Sequence, residues 1–378
     1  FNGPRPEKDG TYPERTKYAL IGVIIHEVGH NYFPMIVNSD ERQWTWMDEG
    51  LNSFIESLAQ AEWEDSWKPR RDNRGMTDYM RTKERVPVMT NSESIADLGP
   101  NSYGQPTVAL NILRENILGR EAFDHAFKAY AKRWMFKRPT PADFFRSMED
   151  ASGVDLDWFW RGWFYGVDHV DVSVDEVRWL QLDTRDPAIE KPKAKAEKEA
   201  LPQTLTKERN ASLPKRVDRF PELKDFYHGY DEATVLPSDK KKYEALIKEL
   251  EEAKIDPKLL QTKQNIYVLE ISNIGGLITP VPLKLEYTDG STEELLLPAE
   301  FWRFNTEKAS KIHVTSKELR AATFDPRQEL MDTDVENNFW PRRLVKTKLQ
   351  LFKDEKPANP MRELTKPEPE APKTEAKK

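Results

Sequence analysis

The chain has 378 residues, no cysteine and a formal net charge of −7, from 58 Lys and Arg against 65 Asp and Glu. The lack of cysteine excludes disulfide scaffolds, cysteine nucleophiles, cysteine-ligated zinc and iron–sulfur clusters. The acidic balance argues against nucleic acid as a main partner. The longest apolar run, residues 18–25, is too short to span a bilayer. The composition indicates a soluble protein. It indicates neither the oligomeric state nor the compartment, which is left open between the cytoplasm and the bacterial periplasm or export.

The amino-terminal part of the chain is predicted to be helical. Residues 1–14 hold three prolines and are predicted to form a loop. Because the chain starts with Phe-Asn-Gly-Pro, with neither Met nor a signal peptide, we expect it to be a piece of a longer protein. From Thr16 an almost wholly apolar pattern predicts a buried helix that ends near Pro34. A second helix is predicted after Asp40, with an apolar stripe over residues 51–58.

Helical periodicity continues after a polar, irregular segment at residues 65–102. Four more helices are predicted over residues 108–117, over residues 123–134, from Thr140-Pro141 onward, and over residues 156–164. Residues 1–166 are therefore predicted to form one mostly helical unit.

The pattern then changes to a period of two. Residues 167–264 are predicted to be a linker or insertion, with a strand at 170–174, a solvated stretch at 184–215 and a surface helix at 238–253. Further strands are predicted from Ile266 onward and at 281–287, 295–297, 312–314 and 345–351, with a hairpin turn at Asp289-Gly290. These strands predict a small β-sandwich over residues 265–352 and a disordered tail over 353–378.

One motif in the first predicted helix carries chemistry. Residues 26–30 read His-Glu-Val-Gly-His. Residues four apart lie on the same face of a helix, so the imidazoles of His26 and His30 can bind one Zn²⁺. Glu27, next to the first ligand, is placed to act as a general base toward a water at the metal.

A third metal ligand is predicted on the second helix. Catalytic zinc sites have three protein ligands and one open position. Glu49 follows His30 after 18 intervening residues and points away from the apolar stripe of its own helix. We therefore predict that His26, His30 and Glu49 hold one Zn²⁺ per chain.

The motif, its spacing and the sequence Trp46-Met47-Asp48-Glu49-Gly50 resemble the gluzincin aminopeptidases, the family of aminopeptidase N and leukotriene hydrolase. The resemblance implies an α+β multidomain fold. In that fold, the mostly helical C-terminal half of a thermolysin-like catalytic domain is followed by a small β-sandwich. It also implies the same three zinc ligands, with Glu27 as the base. Tyr103, at the start of a helix, matches the family tyrosine that stabilises the oxyanion.

The resemblance implies that the protein removes N-terminal residues from peptide substrates by zinc-dependent hydrolysis. The family's Gly-x-Met-Glu-Asn motif, whose Glu binds the substrate amino group, is missing from the 25 residues before His26. In addition, Gly104-Gln105-Pro106 stands where relatives have Glu-Lys-Gly. A zinc endopeptidase, an epoxide hydrolase and a catalytically inactive peptide-binding relative are therefore kept as alternatives.

Other candidates are interpreted as structural. No ligand-spaced partner accompanies His125, His169, His228 or His313. The helical spacing of Trp158, Trp160 and Trp163 predicts a core rather than a sugar platform.

Overall fold

The computed structural model describes residues 3–64, 67, 76–344 and 359–365. The α-helices described there are α1 (Glu14–Gly29), α2 (Leu51–Ala61), α3 (Thr77–Met80), α4 (Gln105–Ile112), α5 (Arg120–Trp134), α6 (Pro141–Ser152), α7 (Asp157–Trp160), α8 (Pro187–Glu199), α9 (Leu205–Arg209), α10 (Arg216–Arg219), α11 (Pro237–Glu252) and α12 (Pro360–Thr365). The strands are β1 (Val172–Leu180), β2 (Asn265–Asn273), β3 (Val281–Tyr287), β4 (Thr292–Leu297), β5 (Lys308–Thr315), β6 (Leu319–Phe324) and β7 (Phe339–Trp340).

Short π-helical segments extend several of these helices. They cover Trp46–Gly50, Gly99–Gly104, Leu113–Ile117 and Arg161–Tyr165. In the described residues no helix is both long and apolar enough to cross a membrane.

The chain divides into two compact units. The first comprises Phe1–Val177, Leu269–Lys311 and Leu319–Lys378, and the second comprises Arg178–Val268 and Ile312–Glu318. The described residues form both helices and β-sheets. The domain boundaries predicted from the sequence remain predictions.

Buried aromatic rings form the helical core of the first unit. The indole of Trp46 is fully buried and lies 4.7 Å, between ring centroids, from Phe164 and 5.7 Å from Phe144. Trp160 stacks on Phe145 in the same cluster, at 4.6 Å. Burial of such large rings stabilises the core strongly. It also anchors the turn at Trp46–Gly50, which carries Glu49.

The helix predictions are confirmed for the part of the chain after Asp40. The helices predicted over 108–117, 123–134 and 156–164 all occur, with π-helical ends in two of them. The helix predicted from Thr140-Pro141 begins there, and the carboxylate of Asp143 accepts hydrogen bonds from the Thr140 N–H and hydroxyl, both at 2.8 Å. Of the segment 65–102, predicted to be irregular, residues 65, 66 and 68–75 lie outside the described residues. The described part contains α3, a 3₁₀ turn at Ser92–Ser94 and the start of the π-helical turn Gly99–Gly104, so it is more helical than predicted.

The prediction for the first helix is wrong in two respects. The helix ends at Gly29 instead of near Pro34 and continues as hydrogen-bonded turns. After His30 the backbone bonds span three residues, from Asn31 to Val28 and from Tyr32 to Gly29, so tighter turns replace the α-helix before Pro34 is reached. The helix is also only half-buried, with Ile24 41% and Val28 63% exposed. Only the face of α1 that packs against α2 is covered, because α2 is its main described neighbour.

Two sheets account for the strands. One has the order β4-β3-β6-β7, with antiparallel pairs that align Val281 with Leu297 and Leu283 with Phe324. The predicted turn at Asp289-Gly290 joins β3 to β4, and Gly290 has a φ of 82°, which glycine adopts without strain. The other sheet has the order β1-β2-β5. Strand β6 was not predicted, and the β-sandwich over 265–352 remains a prediction.

Two segments are more helical than predicted. The stretch 184–215 contains α8 and α9, neither of which has a buried residue, so its solvation was predicted and its helices were not. Within the second unit, Lys191 of α8 pairs with Asp239 of α11 at 2.6 Å.

In the tail, residues 360–365 are helical rather than disordered, because Asn359 and Arg362 bond to residues 7–11. The predicted strand 345–351 and the rest of the tail lie outside the described residues.

Candidate active site

The two histidines of the motif lie one turn apart at the carboxyl end of α1. Their Nε2 atoms are 3.1 Å apart and the rings meet edge to face, with centroids 4.6 Å apart. His26 is buried and His30 is half-buried. The helix therefore turns both Nε2 atoms to one point, as the i, i+4 spacing predicts.

Glu49 approaches the same point from the π-helical turn before α2. Its Oε2 lies 3.0 Å from Nε2 of His26 and 3.4 Å from Nε2 of His30. One ligand atom from each of the three residues lies within 4.8 Å of the others. π-helical turns occur often at functional sites. The structure thus brings the three predicted ligands together.

The other ring nitrogen of each histidine has its own partner. Nδ1 of His26 lies 3.0 Å from Oε2 of Glu56, and Nδ1 of His30 lies 2.9 Å from the carbonyl oxygen of Phe33 and 3.1 Å from Oδ1 of Asp48. When the two imidazoles are neutral, Glu56 and the Phe33 carbonyl favour a proton on each Nδ1, which leaves the lone pairs on Nε2. Two such lone pairs and a carboxylate oxygen then face one another, an arrangement that a divalent cation stabilises. The donor set therefore fits Zn²⁺.

The acidic surroundings favour positive charge at this point. Burial lowers the pKa of His26, but the hydrogen bonds to Glu49 and Glu56 raise it, and the result is a pKa of about 9. Burial raises the pKa of Glu49, whereas its bonds to His26 and Tyr103 lower it, and the net pKa is below the ordinary value. Glu49 is therefore a carboxylate near neutral pH. Asp48 differs, because burial and its hydrogen bond with Glu41 raise its pKa to about 8.

Tyr103 lies beside these residues on a second π-helical turn, Gly99–Gly104, directly before α4. Its ring stacks on that of His26, with a centroid distance of 5.8 Å and an angle of 27°. Its side chain is hydrogen-bonded to Glu49. The structure therefore places the predicted tyrosine within the cluster.

A cavity of about 1040 Å³ opens beside the cluster. His26, Glu27 and Tyr103 line one part of it, and it continues between α1 and α2 past Glu56 and Gln60. Glu27 is exposed and faces this space. A carboxylate, a phenol and one imidazole of the cluster therefore border the same cavity, which has room for part of a peptide.

Close packing of α1 on α2 holds the cluster in place. Asn52 is fully buried, and its Nδ2 donates to the backbone oxygen of His26 at 2.8 Å. The contact is possible because residue 29 is glycine: a Cβ there would lie 2.1 Å from Oδ1 of Asn52. The glycine of the motif thus lets the second helix approach the first.

Several residues of the site were missed in the sequence. Glu56, Gln60 and Asn52 follow Glu49 at intervals of seven, eleven and three residues, which places them on or near one face of α2. Polar residues on the face opposite the apolar stripe were the available signal. That pattern is equally typical of ordinary solvated positions, because the burial of this face is not visible in the sequence.

The remaining candidates stay apart from the cluster. His125, His169, His228 and His313 belong to no group of potential metal ligands among the described residues. Trp160 and Trp163 are buried in the core, as predicted. A second acidic group, formed by Glu149, Asp155 and Asp157, lies elsewhere and is largely exposed.

Comparison with known proteins gives a family for the helical segment. Residues 8–163, which contain the whole cluster, match the peptidase family M1 domain. This match defines residues 8–163 as the M1 segment. The chain is 27% identical over 172 residues to glutamyl aminopeptidase of Bos taurus, a match that covers 43% of this chain and 18% of that protein. It is also 25% identical over 185 residues to aminopeptidase N of Streptomyces lividans, a match that covers 43% of this chain and 22% of that protein. The chain thus spans about a fifth of the length of these curated relatives.

Two solved structures are similar as well. Aminopeptidase A of Legionella pneumophila in complex with aspartic acid aligns with 88% of this chain and 28% of its own, at 15% identity and a TM-score of 0.48. The M1 zinc metallopeptidase of Deinococcus radiodurans aligns with 40% of this chain and 34% of its own, at 22% identity and a TM-score of 0.33.

Proposed function

We propose that the M1 segment binds one Zn²⁺ through His26, His30 and Glu49, and that the protein hydrolyses peptide bonds to remove N-terminal residues. One observation carries the proposal: three metal-ligand atoms converge within 4.8 Å, and one of the three residues, His26, lines a cavity together with Glu27 and Tyr103. The aminopeptidase relatives favour an exopeptidase over the endopeptidase and epoxide hydrolase alternatives.

When bound, Zn²⁺ supplies Lewis acidity, which polarises the scissile carbonyl and makes a water easier to deprotonate. Glu27 accepts a proton from the attacking water and then donates it to the departing amine. Its position next to His26 and its exposure to the cavity suit this role.

Tyr103 stabilises the negative charge that develops on the substrate during the reaction. Its hydroxyl donates a hydrogen bond to the oxygen of the substrate carbonyl as negative charge develops there. The stacking of its ring on His26 keeps the phenol next to the ligands. Glu49 accepts its hydrogen bond in the absence of a substrate.

The metal part of the proposal is tested by elemental analysis of the purified chain. We expect one zinc per chain in the wild type and a strong loss of zinc in Glu49→Ala and His26→Ala. Full zinc occupancy in His26→Ala would contradict the ligand assignment.

The reaction is tested with paired peptides that differ only at the N-terminus, one with a free amino group and one acetylated. We expect the zinc-loaded chain to release the first residue of the free peptide and to leave the acetylated peptide intact. Cleavage of both would indicate an endopeptidase. Cleavage of neither, with zinc bound, would contradict a peptidase activity of this chain.

A further inference from the structure

Beyond the ligands, one side-chain pair on α2 reaches the zinc site. We infer that Glu56 and Gln60 are positioning residues that together fix the tautomer and ring orientation of His26 for metal binding. The inference rests on the proposed zinc site, and it concerns residues with no ligand atom in that site.

The first contact joins Glu56 to His26. Oε2 of Glu56 lies 3.0 Å from Nδ1 of His26, and the two side chains are 13% and 11% exposed. A buried carboxylate at this distance accepts a hydrogen bond from the Nδ1–H group. This bond directs the Nε2 lone pair toward Glu49 and His30. Outer partners of this kind fix the orientation of a histidine ligand and increase its basicity.

The second contact restrains Glu56 itself. Gln60 follows one turn later on α2, and its Nε2 donates to Oε1 of Glu56 at 2.5 Å. Gln60 is buried, at 7% exposure. Each carboxylate oxygen of Glu56 therefore has a hydrogen-bond partner, so the carboxylate has little freedom to rotate away from the imidazole.

The opposing helix leaves room for the glutamine. Gly22 lies one turn before His26 on α1, and a Cβ there would approach Nε2 of Gln60 to 3.2 Å and Oε1 of Glu56 to 3.6 Å. Contacts at 3.2 Å force the neighbour to shift. Glycine at position 22 thus allows the Gln60 amide to lie close to α1. We expect the methyl group of Gly22→Ala, on α1, to displace the Glu56–Gln60 pair on α2.

The two histidines are held differently, which makes the inference specific. Nδ1 of His26 is held by the carboxylate of Glu56, which Gln60 restrains in turn. Nδ1 of His30 is held instead by the backbone oxygen of Phe33 at 2.9 Å. Loss of the Glu56–Gln60 pair should therefore weaken one ligand while the other two keep their geometry.

The test is zinc affinity of the full chain, measured by competition with a chromophoric chelator. We expect Glu56→Ala to weaken zinc binding about 10- to 100-fold, the range found for outer partners of metal ligands. In Glu56→Gln the amide oxygen can still accept a hydrogen bond from Nδ1–H of His26, so this variant should recover part of that loss. Gln60→Leu and Gly22→Ala should weaken binding less than Glu56→Ala, because each leaves the carboxylate in place.

Two further measurements separate positioning from a general loss of structure. Glu62→Gln, on an exposed residue at the end of the same helix, is the matched control and should bind zinc like the wild type. In the Co²⁺-substituted protein, the visible absorption bands should shift in the Glu56 and Gln60 variants and stay unchanged in Glu62→Gln.

The possible failures are distinguishable. If the wild type binds zinc tightly and Glu56→Ala binds it equally well with unchanged Co²⁺ bands, the positioning role is wrong and the zinc site stands. An equal loss of zinc affinity in Glu56→Ala and in the control Glu62→Gln would also overturn the positioning role. If the folded wild type binds no zinc, the proposed zinc site fails, and the positioning role fails with it.

Discussion

At the scale of single residues, the proposed function assigns some groups of the site to metal binding and others to the reaction. His26, His30 and Glu49 converge on one point, whereas Glu27 faces the cavity beside them. Glu27 has no ligand atom in the cluster. A substitution there should therefore affect proton transfer without affecting the metal.

Glu27→Gln is the first test of this division. The amide has nearly the same shape as the carboxylate but cannot accept a proton at neutral pH. We expect zinc content to stay at the wild-type level and kcat to fall between about 10²- and 10⁴-fold, the usual contribution of a general base. Near-normal turnover on a free-amino peptide would show that another group takes the proton.

Tyr103→Phe tests the second reactive group. Removal of the hydroxyl should leave zinc affinity nearly unchanged and lower kcat by about 10²- to 10³-fold, with a small change in KM, because an oxyanion donor acts in the transition state. Tyr165→Phe, which alters an exposed tyrosine far along the chain, is the control and should turn over like the wild type. Equal kinetics for Tyr103→Phe and the wild type would remove Tyr103 from the mechanism.

The i, i+4 spacing was sufficient to predict that His26 and His30 meet. Glu49 was predicted from the need for a third zinc ligand and from its direction away from the apolar stripe of its own helix. Prediction of Tyr103 depended on resemblance to a family. Glu56 and Asn52 were not predicted, since their roles depend on how closely two helices approach. That distance is set by Gly29 and Gly22, and a glycine in a helical pattern does not by itself reveal which side chain it accommodates.

At the scale of helices and strands, the contact between α1 and α2 is the one on which the cluster depends. The helices meet at Gly29, where the Asn52 amide bonds to the backbone of His26. The sequence predicted both helices from their apolar stripes. It did not predict that α1 is half-exposed, because an apolar pattern indicates burial without saying which neighbours are present.

Gly29→Ala tests this contact. The added methyl group would overlap Oδ1 of Asn52, so Asn52 must move or the helices must separate. We expect the free energy of unfolding in urea to fall by about 1–3 kcal/mol, as for overpacked cores, and zinc affinity to fall with it. Gly229→Ala, where nothing lies within 4 Å, is the control and should be close to neutral.

A double variant makes the cause specific. If the clash with Asn52 is the reason, Gly29→Ala combined with Asn52→Ala should cost less than the sum of the two single changes. Strictly additive losses would indicate that the methyl group added at position 29 disturbs the chain by another route.

At the scale of the whole molecule, a single loop joins distant parts of the first unit. Oδ2 of Asp332 accepts the backbone N–H of Val172 at 3.0 Å, and the Thr333 N–H donates to the backbone oxygen of Val170 at 2.9 Å. Arg81, from the helical part, donates to the backbone oxygen of Thr333. The loop thus connects the helical part, the start of β1 and the end of the β-region, which sequence periodicity alone does not reveal.

This loop predicts a pH dependence of stability. Burial raises the pKa of Asp332 to about 7, although the hydrogen bonds from Val172 and Asp334 lower it. Because its pKa in the folded state is above the ordinary value of 3.8, the folded state binds the proton more tightly than the unfolded state does. Its stabilising contribution is therefore complete below pH 4 and is lost as the pH rises to about 7. Between these pH values the contribution of Asp332 to the free energy of unfolding falls by about 4 kcal/mol.

Asp332→Asn should remove that dependence, since an amide does not titrate. We expect the difference in unfolding free energy between variant and wild type to change steadily in favour of the variant from pH 4.5 to pH 7, and to stay constant above it. Urea unfolding at four pH values measures this difference, in which the titration of all other groups cancels. Asp334→Asn, two residues away, controls for removal of a charge from the same loop, because the Asp334 carboxylate accepts the Glu336 N–H within its own turn. If the wild type and Asp332→Asn change in parallel with pH, the proton on Asp332 does not contribute to the stability of the fold.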